Sequence, residues 1–79
     1  MPVKKRLLDR TRQLSLRQQR VTELVAQGLK NREIAAVMGI GAHVARNYLS
    51  AIYDKIGVSN RVELALWYEA RKHEGGGAH

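Results

Sequence analysis

The sequence lacks cysteine, long hydrophobic runs and all but one proline. Without cysteine the chain forms neither disulfides nor cysteine-based metal sites, which suits a reducing cytosol. No apolar run approaches the length of a membrane-spanning helix, and no apolar stretch of signal-peptide length follows the basic N-terminus. A single proline, few β-branched runs and 44% hydrophobic residues at helical spacing predict an all-α fold. A length of 79 residues allows one domain.

Acidic residues are also scarce, because seven Asp and Glu stand against fourteen Lys and Arg and leave a net charge of +7. A small domain this basic commonly binds a polyanion, either nucleic acid or an anionic membrane. Membrane binding would need one helix with a basic face opposite a broad apolar face, whereas the basic residues here are spread over all the helices. The charge therefore favours nucleic acid, with a merely soluble basic surface as the alternative.

The residue pattern gives no support to catalysis. We find no nucleophile–base pair, carboxylate dyad, glycine-rich phosphate loop or metal cluster, so an enzyme is the weakest interpretation. The three histidines, His43, His73 and His79, have no ligand spacing. The sequence therefore predicts neither a bound metal nor a cofactor.

Residues 31–50 carry the pattern around which the chain is organised. Counted from Asn31, a small residue stands at the fifth position, Ala35, and glycine at the ninth, Gly39. Two helices that cross steeply after a short turn need a small side chain at the crossing and a residue without Cβ at the turn. The spacing predicts a helix-turn-helix, and an ordinary helical hairpin is the alternative. The expected apolar seam comprises Ile34, Ala35, Val37 and Met38, then Val44, Tyr48 and Ile52 with Ala45 and Leu49 beside them.

Capping residues, glycines and apolar periodicity predict four helices, at residues 14–27, 31–38, 42–56 and 60–72. We expect a capping box of Ser15 and Gln18 at the first, an Asn31 cap at the second, and a box of Asn60 and Glu63 at the fourth. The inward stripe of the first helix is Val21, Leu24 and Val25.

The predicted third helix also has a polar face. Its members share one side at positions i, i+3, i+4, i+7 and i+11, namely His43, Arg46, Asn47, Ser50 and Asp54. Arginine and asparagine are the side chains that bond bidentately to guanine and adenine edges. Such a face near the start of the second motif helix is what reading of the major groove requires.

The flanking segments have different compositions. Residues 1–13 hold five basic residues and one acid, which predicts a basic arm that contacts phosphates, with a frayed leader as the alternative. Residues 14–73 form the predicted DNA-binding domain, and residues 74–79 a flexible tail.

The fourth helix has apolar residues on more than one side, and this excess of apolar surface predicts a partner surface.

Several segments share the spacing of one known family. They read LSLRQ at 14–18, NREIA at 31–35, MGI at 38–40 and KIGVSNRVEL at 55–64. The chain resembles, over residues 14–69, the LuxR-type or GerE-type helix-turn-helix domain of NarL-like response regulators and of small stand-alone regulators. So many fixed spacings are far more specific than a lone helix-turn-helix.

The resemblance implies a four-helix, all-α domain that binds double-stranded DNA, with the third helix in the major groove and a homodimer formed through the fourth. The residues that it implies for base contacts are Arg46, Asn47 and Ser50. Phosphate contacts are expected from Arg32, Tyr48 and Lys55, joined by His43 of the polar face. Val62 and Leu66 match the dimer side.

The sequence departs from the family pattern at three points. Gly41 replaces the usual serine at the start of the third helix and is a weaker cap. Val44 and Ala45 replace a threonine–valine pair, and loss of the hydroxyl removes a phosphate hydrogen bond, so that backbone positioning must come from elsewhere. Leu16 replaces the usual proline.

The resulting interpretation is a bacterial transcriptional regulator, cytoplasmic and associated with the nucleoid. Met1 favours a stand-alone regulator over a piece of a longer protein. The alternatives are a module like sigma-factor region 4 that contacts RNA polymerase, and a protein-binding module on a helix-turn-helix scaffold.

For two aromatic residues the sequence also allows a structural role. The Tyr48 ring can pack at the edge of the core, and Trp67 is expected in core or dimer packing rather than base stacking.

Overall fold

The computed structural model describes residues 14–77, and side chains over residues 14–72. Four helices are present there: α1 (Leu16–Ala26), α2 (Asn31–Met38), α3 (Ala42–Ile56) and α4 (Arg61–Gly77). No strand occurs in residues 14–77, so the predicted all-α, four-helix fold is confirmed. The basic arm predicted at residues 1–13 lies outside the described residues.

The predicted helix bounds are met by α2 and α3 and need correction for α1 and α4. Helix α1 begins at Leu16 because Ser15 is its cap, and it ends at Ala26. Helix α4 begins one residue late, at Arg61, and its backbone runs on to Gly77 rather than ending at about Lys72. Once formed, a helix gains one hydrogen bond for each residue added, and no proline stops it here. The flexibility of the tail stays a prediction.

The start of α1 confirms the predicted capping box. The Gln18 amide donates to Ser15 Oγ at 3.1 Å, and the Ser15 amide donates to Gln18 Oε1 at 2.9 Å. Two backbone donors that the first turn leaves without helical partners are thereby satisfied.

The other two capped starts differ from expectation. Asn31 does not cap α2, since Lys30 is the N-cap and its amide donates to Glu33 Oε1 at 2.7 Å. Asn60 does cap α4, accepting from the Glu63 amide at 3.0 Å. The Glu63 carboxylate, however, accepts from the Ser59 amide at 2.7 Å, one residue earlier than in a capping box. The carboxylate thus gives a hydrogen-bond partner to a backbone amide of the loop that precedes the helix.

Left-handed glycines end α2 and α3, as the sequence predicts. Gly39 has φ 71° and Gly57 has φ 85°, a region where a side chain would be strained. Beyond each glycine the chain turns back, so that the Ile40 amide donates to Ala35 O at 3.0 Å and the Val58 amide to Tyr53 O at 3.1 Å. These bonds close the helix ends and set the direction of the next segment.

Helix α1 is the centre of the packing, because it contacts each of the other three helices, while α2 packs chiefly on α3. Its predicted inward residues Val21, Leu24 and Val25 are all buried. The rest of the core comprises Leu14, Ile34, Ala35, Ala45, Leu49, Ile52, Ile56 and Leu64.

The predicted apolar seam is wrong at two valines. Val37 is 53% exposed and Val44 is 41% exposed. A series with spacing four drifts by about 40° per step around a helix that has 3.6 residues per turn, and Val44 lies at the end of the drift that is turned away from the core. The buried stripe of α3 instead follows i, i+4, i+7 and i+11, through Ala45, Leu49, Ile52 and Ile56.

Arg61 joins three parts of the fold. From the first turn of α4 its guanidinium donates to the backbone oxygen of Leu29, in the loop between α1 and α2, and to Asn31 Oδ1 at 3.4 Å. The planar guanidinium has several donors in a fixed arrangement, which suits it to two acceptors at once. This is the role that Asn31 has in place of the predicted cap.

We predict that Arg61→Ala lowers the free energy of unfolding by roughly 1.5–3 kcal/mol, the usual worth of hydrogen bonds to a charged group. Urea unfolding followed by circular dichroism measures this value. Arg32→Ala, at an exposed position of α2, is the matched control and should stay within about 0.5 kcal/mol of the parent protein. Equal stability of the two variants would contradict a bridging role for Arg61.

Candidate nucleic-acid interface

Helix α3 presents a polar face to solvent, opposite the stripe that it buries. The buried stripe fixes the rotation of the helix about its axis, so that residues half a turn away must point outward. All five members of the predicted polar face are exposed, namely His43, Arg46, Asn47, Ser50 and Asp54. The structure therefore brings together on one surface the residues predicted to contact bases.

The polar groups of this face are not used inside the fold. Within the described residues, Arg46, Asn47 and Ser50 make no side-chain hydrogen bond or ion pair. The N-cap of α3 is Gly41, which has no side chain to cap the first turn. The amides of that turn and the side chains of the face thus keep their hydrogen-bonding capacity for a ligand.

The residues predicted to contact phosphate lie around this face in different settings. Arg32 is exposed in the first turn of α2, and His43 is exposed in the first turn of α3. Tyr48 is half-buried and its side chain packs against the core, which matches the structural alternative given for it. Packing against the core fixes the position of the ring and leaves its hydroxyl able to contact a ligand.

Lys55 is held by α1 through a contact that the sequence did not predict. Its ammonium donates to Gln18 Oε1 at 3.1 Å. Gln18 is itself buried, and its backbone oxygen accepts from the Thr22 hydroxyl at 2.9 Å. The Gln18 amide is neutral, and its hydrogen bond fixes the position of the ammonium. The sequence pattern identifies Gln18 as a member of the capping box. That assignment gives no reason to expect a second partner for the same side chain.

The predicted dimer residues form an exposed patch on α4. Val62 is 65% exposed and Leu66 is 66% exposed, and they lie one turn apart. They line a shallow hollow together with Val25, Arg61, Ala65 and Glu69. We call Val62, Ala65 and Leu66 the α4 patch.

The other side of α4 faces α1 and is not part of this patch. Trp67 packs against the core, and the Arg71 guanidinium lies 5.6 Å from the centre of its ring. The Tyr68 hydroxyl lies 3.5 Å from Glu23 Oε2. Burial, followed by the negative charge of Glu23, raises the pKa of Tyr68, which keeps the phenol protonated near neutral pH. The aromatic residues of α4 are thus used largely for packing.

Residues 14–77 contain neither a cluster of metal-ligating side chains nor a membrane-spanning helix. No three side chains among His, Cys, Asp and Glu lie close enough together there to hold a metal ion. None of the four described helices is long and apolar enough to cross a membrane.

Residues 12–68 match the family of bacterial regulatory proteins named luxR. This stretch contains the helix-turn-helix, the exposed face of α3 and the α4 patch. The chain belongs to the luxR family. The resemblance inferred from the motifs is therefore confirmed, and the domain is the helix-turn-helix DNA-binding domain of a family of transcriptional regulators, a family not known for catalysis.

Several characterised relatives are similar to this luxR-family domain. The transcriptional regulatory protein DesR of Bacillus subtilis is 44% identical over 50 residues, which cover 63% of this chain and 25% of DesR. The transcriptional regulatory protein UhpA of Escherichia coli is 40% identical over 52 residues, covering 66% of this chain and 26% of UhpA. The chain thus spans about a quarter of the length of these two relatives.

A third relative extends the match. The probable transcriptional regulatory protein SgaR of Hyphomicrobium methylovorum is 34% identical over 67 residues, covering 84% of this chain and 32% of SgaR. Its match is longer than the 50-residue match to DesR.

We predict that Gln18→Glu weakens DNA binding, because a carboxylate beside the Lys55 ammonium would compete with phosphate for it. The slope of log K against log salt should become shallower by about one. Fluorescence anisotropy on a labelled duplex at several salt concentrations measures it. Gln19→Glu is the control, since this exposed neighbour makes the same change in net charge without facing Lys55.

Glutamate also suits the capping box, so the folded state should be retained in Gln18→Glu. Equal salt slopes for the two variants would show that Lys55 takes no part in binding phosphate.

Proposed function

We propose that this luxR-family domain reads duplex DNA in a sequence-specific way, with α3 in the major groove and a second copy paired through α4. The observation that carries the proposal is the exposed face of α3, whose polar side chains have no partners in the described fold. An α-helix with such a face fits the width of the major groove.

Base reading is assigned to Arg46, Asn47 and Ser50. Arginine pairs with the O6 and N7 acceptors of guanine, and asparagine with N6 and N7 of adenine. Each good bidentate pair discriminates against the wrong base by about 1–3 kcal/mol. Ser50 lies one turn beyond Arg46 and Asn47 and extends the reading along the helix.

Phosphate binding is assigned to residues at the edges of the same surface, namely Arg32, His43, Tyr48 and Lys55. Lys55 is supported most strongly, because its hydrogen bond to Gln18 holds its ammonium in place. Such contacts carry no sequence information, but they fix the register of the helix on the duplex. The basic arm, which holds five of the fourteen basic side chains, would add affinity that depends on salt.

Self-association is assigned to the α4 patch. Val62 and Leu66 are large apolar side chains that the described fold leaves about two-thirds exposed. Two copies that meet through the same patch form a two-fold dimer, and this symmetry matches a palindromic pair of half-sites. The regulator so formed would act on the nucleoid in the cytoplasm, with regulation through its abundance or through further domains.

We predict that Arg46→Ala lowers affinity for a duplex selected by this chain at least tenfold more than affinity for scrambled DNA. The reason is that base contacts count only at the specific site, whereas phosphate contacts count everywhere. Arg17→Ala, at an exposed arginine of α1, removes the same charge and should change the two affinities equally. If Arg46→Ala also changes both equally, Arg46 does not read bases.

We predict that Leu66→Arg converts the dimer to a monomer in sedimentation equilibrium, because it buries an unpaired charge at the interface. Leu16→Arg is the matched control, since Leu16 is 83% exposed on α1, and it should leave the dimer intact. A Leu66→Arg protein that still dimerises would move the interface elsewhere. A parent protein that is monomeric even on DNA would favour the polymerase-associated alternative.

A further inference from the structure

A shallow apolar hollow lies beside the proposed base-reading residues, on the side of α3 that faces α1. Its volume is about 320 Å³, and it is lined by Gln18, Val44, Asn47, Tyr48 and Ala51. Val44 and Ala51 are exposed, and Tyr48 is half-buried. The hollow therefore has apolar walls and carries two side-chain amides, that of Asn47 on α3 and that of Gln18 on α1.

The walls of the hollow follow the geometry of the helix. Positions 44, 48 and 51 have the spacing i, i+4 and i+7, so the three side chains form one strip, and Asn47 lies within it. Single exposed apolar residues are ordinary on protein surfaces. Here, however, the strip adjoins the polar face of a helix proposed to enter DNA, and it would lose its contact with water when the helix docks.

The chemistry of the major groove restricts what such a strip can meet. The base edges there present hydrogen-bond acceptors, hydrogen-bond donors and one apolar group, the C5-methyl of thymine. Asparagine pairs with adenine, whose partner is thymine, so a methyl group is present whenever Asn47 contacts adenine. An apolar wall next to Asn47 is therefore matched to a step that contains an A·T pair.

We propose that this hollow binds the C5-methyl group of a thymine within one base pair of the base that Asn47 contacts, and that Val44 is a specificity-determining residue. The inference rests on the proposed docking of α3 in the major groove. Val44 then helps to read bases, whereas a threonine at this position would offer its hydroxyl to the DNA backbone. Each half-site should accordingly contain a thymine that is recognised through its methyl group alone.

The test uses the full chain and a duplex selected by it from a random pool. Each thymidine of one half-site is replaced in turn by deoxyuridine, which keeps the base pairing and removes only the methyl group. The dissociation constants are measured by fluorescence anisotropy for the parent protein, for Val44→Ala and for Val37→Ala. Val37 is the matched control, because it is an exposed valine on α2 outside the hollow.

The expected result is a loss of about fourfold in affinity at one or two thymidines for the parent protein, the worth of one buried methyl group. Val44→Ala should bind the thymidine duplex less tightly and lose most of this sensitivity to deoxyuridine. Val37→Ala should keep it in full. Circular dichroism checks that both variants are folded.

The inference is overturned if no deoxyuridine substitution weakens the parent protein, or if Val44→Ala keeps the same loss as the parent. Failure of the proposed function looks different, because the parent protein would then select no preferred duplex at all. Sequence-specific binding with no response to the methyl group would leave the docking of α3 intact and remove only the role of Val44.

Discussion

Burial of one stripe on α3 is the constraint on which the rest of the structure depends. Ala45 and Ile52 are fully buried, Ile56 and Leu49 nearly so, and together they settle how α3 is rotated against α1 and α2. The opposite face must then point into solvent with its polar side chains. Packing in the core thus sets the orientation of the surface that we propose to contact DNA, and a polar substitution in this stripe would disturb both at once.

Gln18 links the framework to this surface. The same side chain accepts from the Ser15 amide at the start of α1 and from the Lys55 ammonium near the end of α3. A buried polar side chain is stable only when its hydrogen bonds are made, and here the partners come from two helices. Arg61 has a comparable role, because its hydrogen bonds connect α4 to the loop before α2. Polar contacts of this kind fix the relative positions of the helices, which apolar packing alone leaves adjustable.

Local signals in the sequence predict the architecture well, because caps and left-handed glycines act over a few residues. The Ser15 box, Gly39 and Gly57 all have the predicted roles. The contacts of Arg61 and of Lys55 with Gln18 join residues 30 or more positions apart, and no local pattern contains them. The exposure of Val44 differs from the prediction because a four-residue spacing drifts around the helix, whereas Val37 is exposed because α2 buries only Ile34 and Ala35. The roles of individual residues on DNA stay predictions, since they depend on a partner.

The most direct test of the central claim is selection of bound duplexes from a random pool by the purified chain, with the winner then titrated against scrambled DNA at several salt concentrations. Our account predicts a palindromic winner whose two half-sites are about one helical turn apart, bound at least a thousandfold more tightly than scrambled DNA. Both affinities should fall with salt, since phosphate contacts are common to the two complexes. Binding without sequence preference would contradict the account, because the exposed face of α3 would then read no bases.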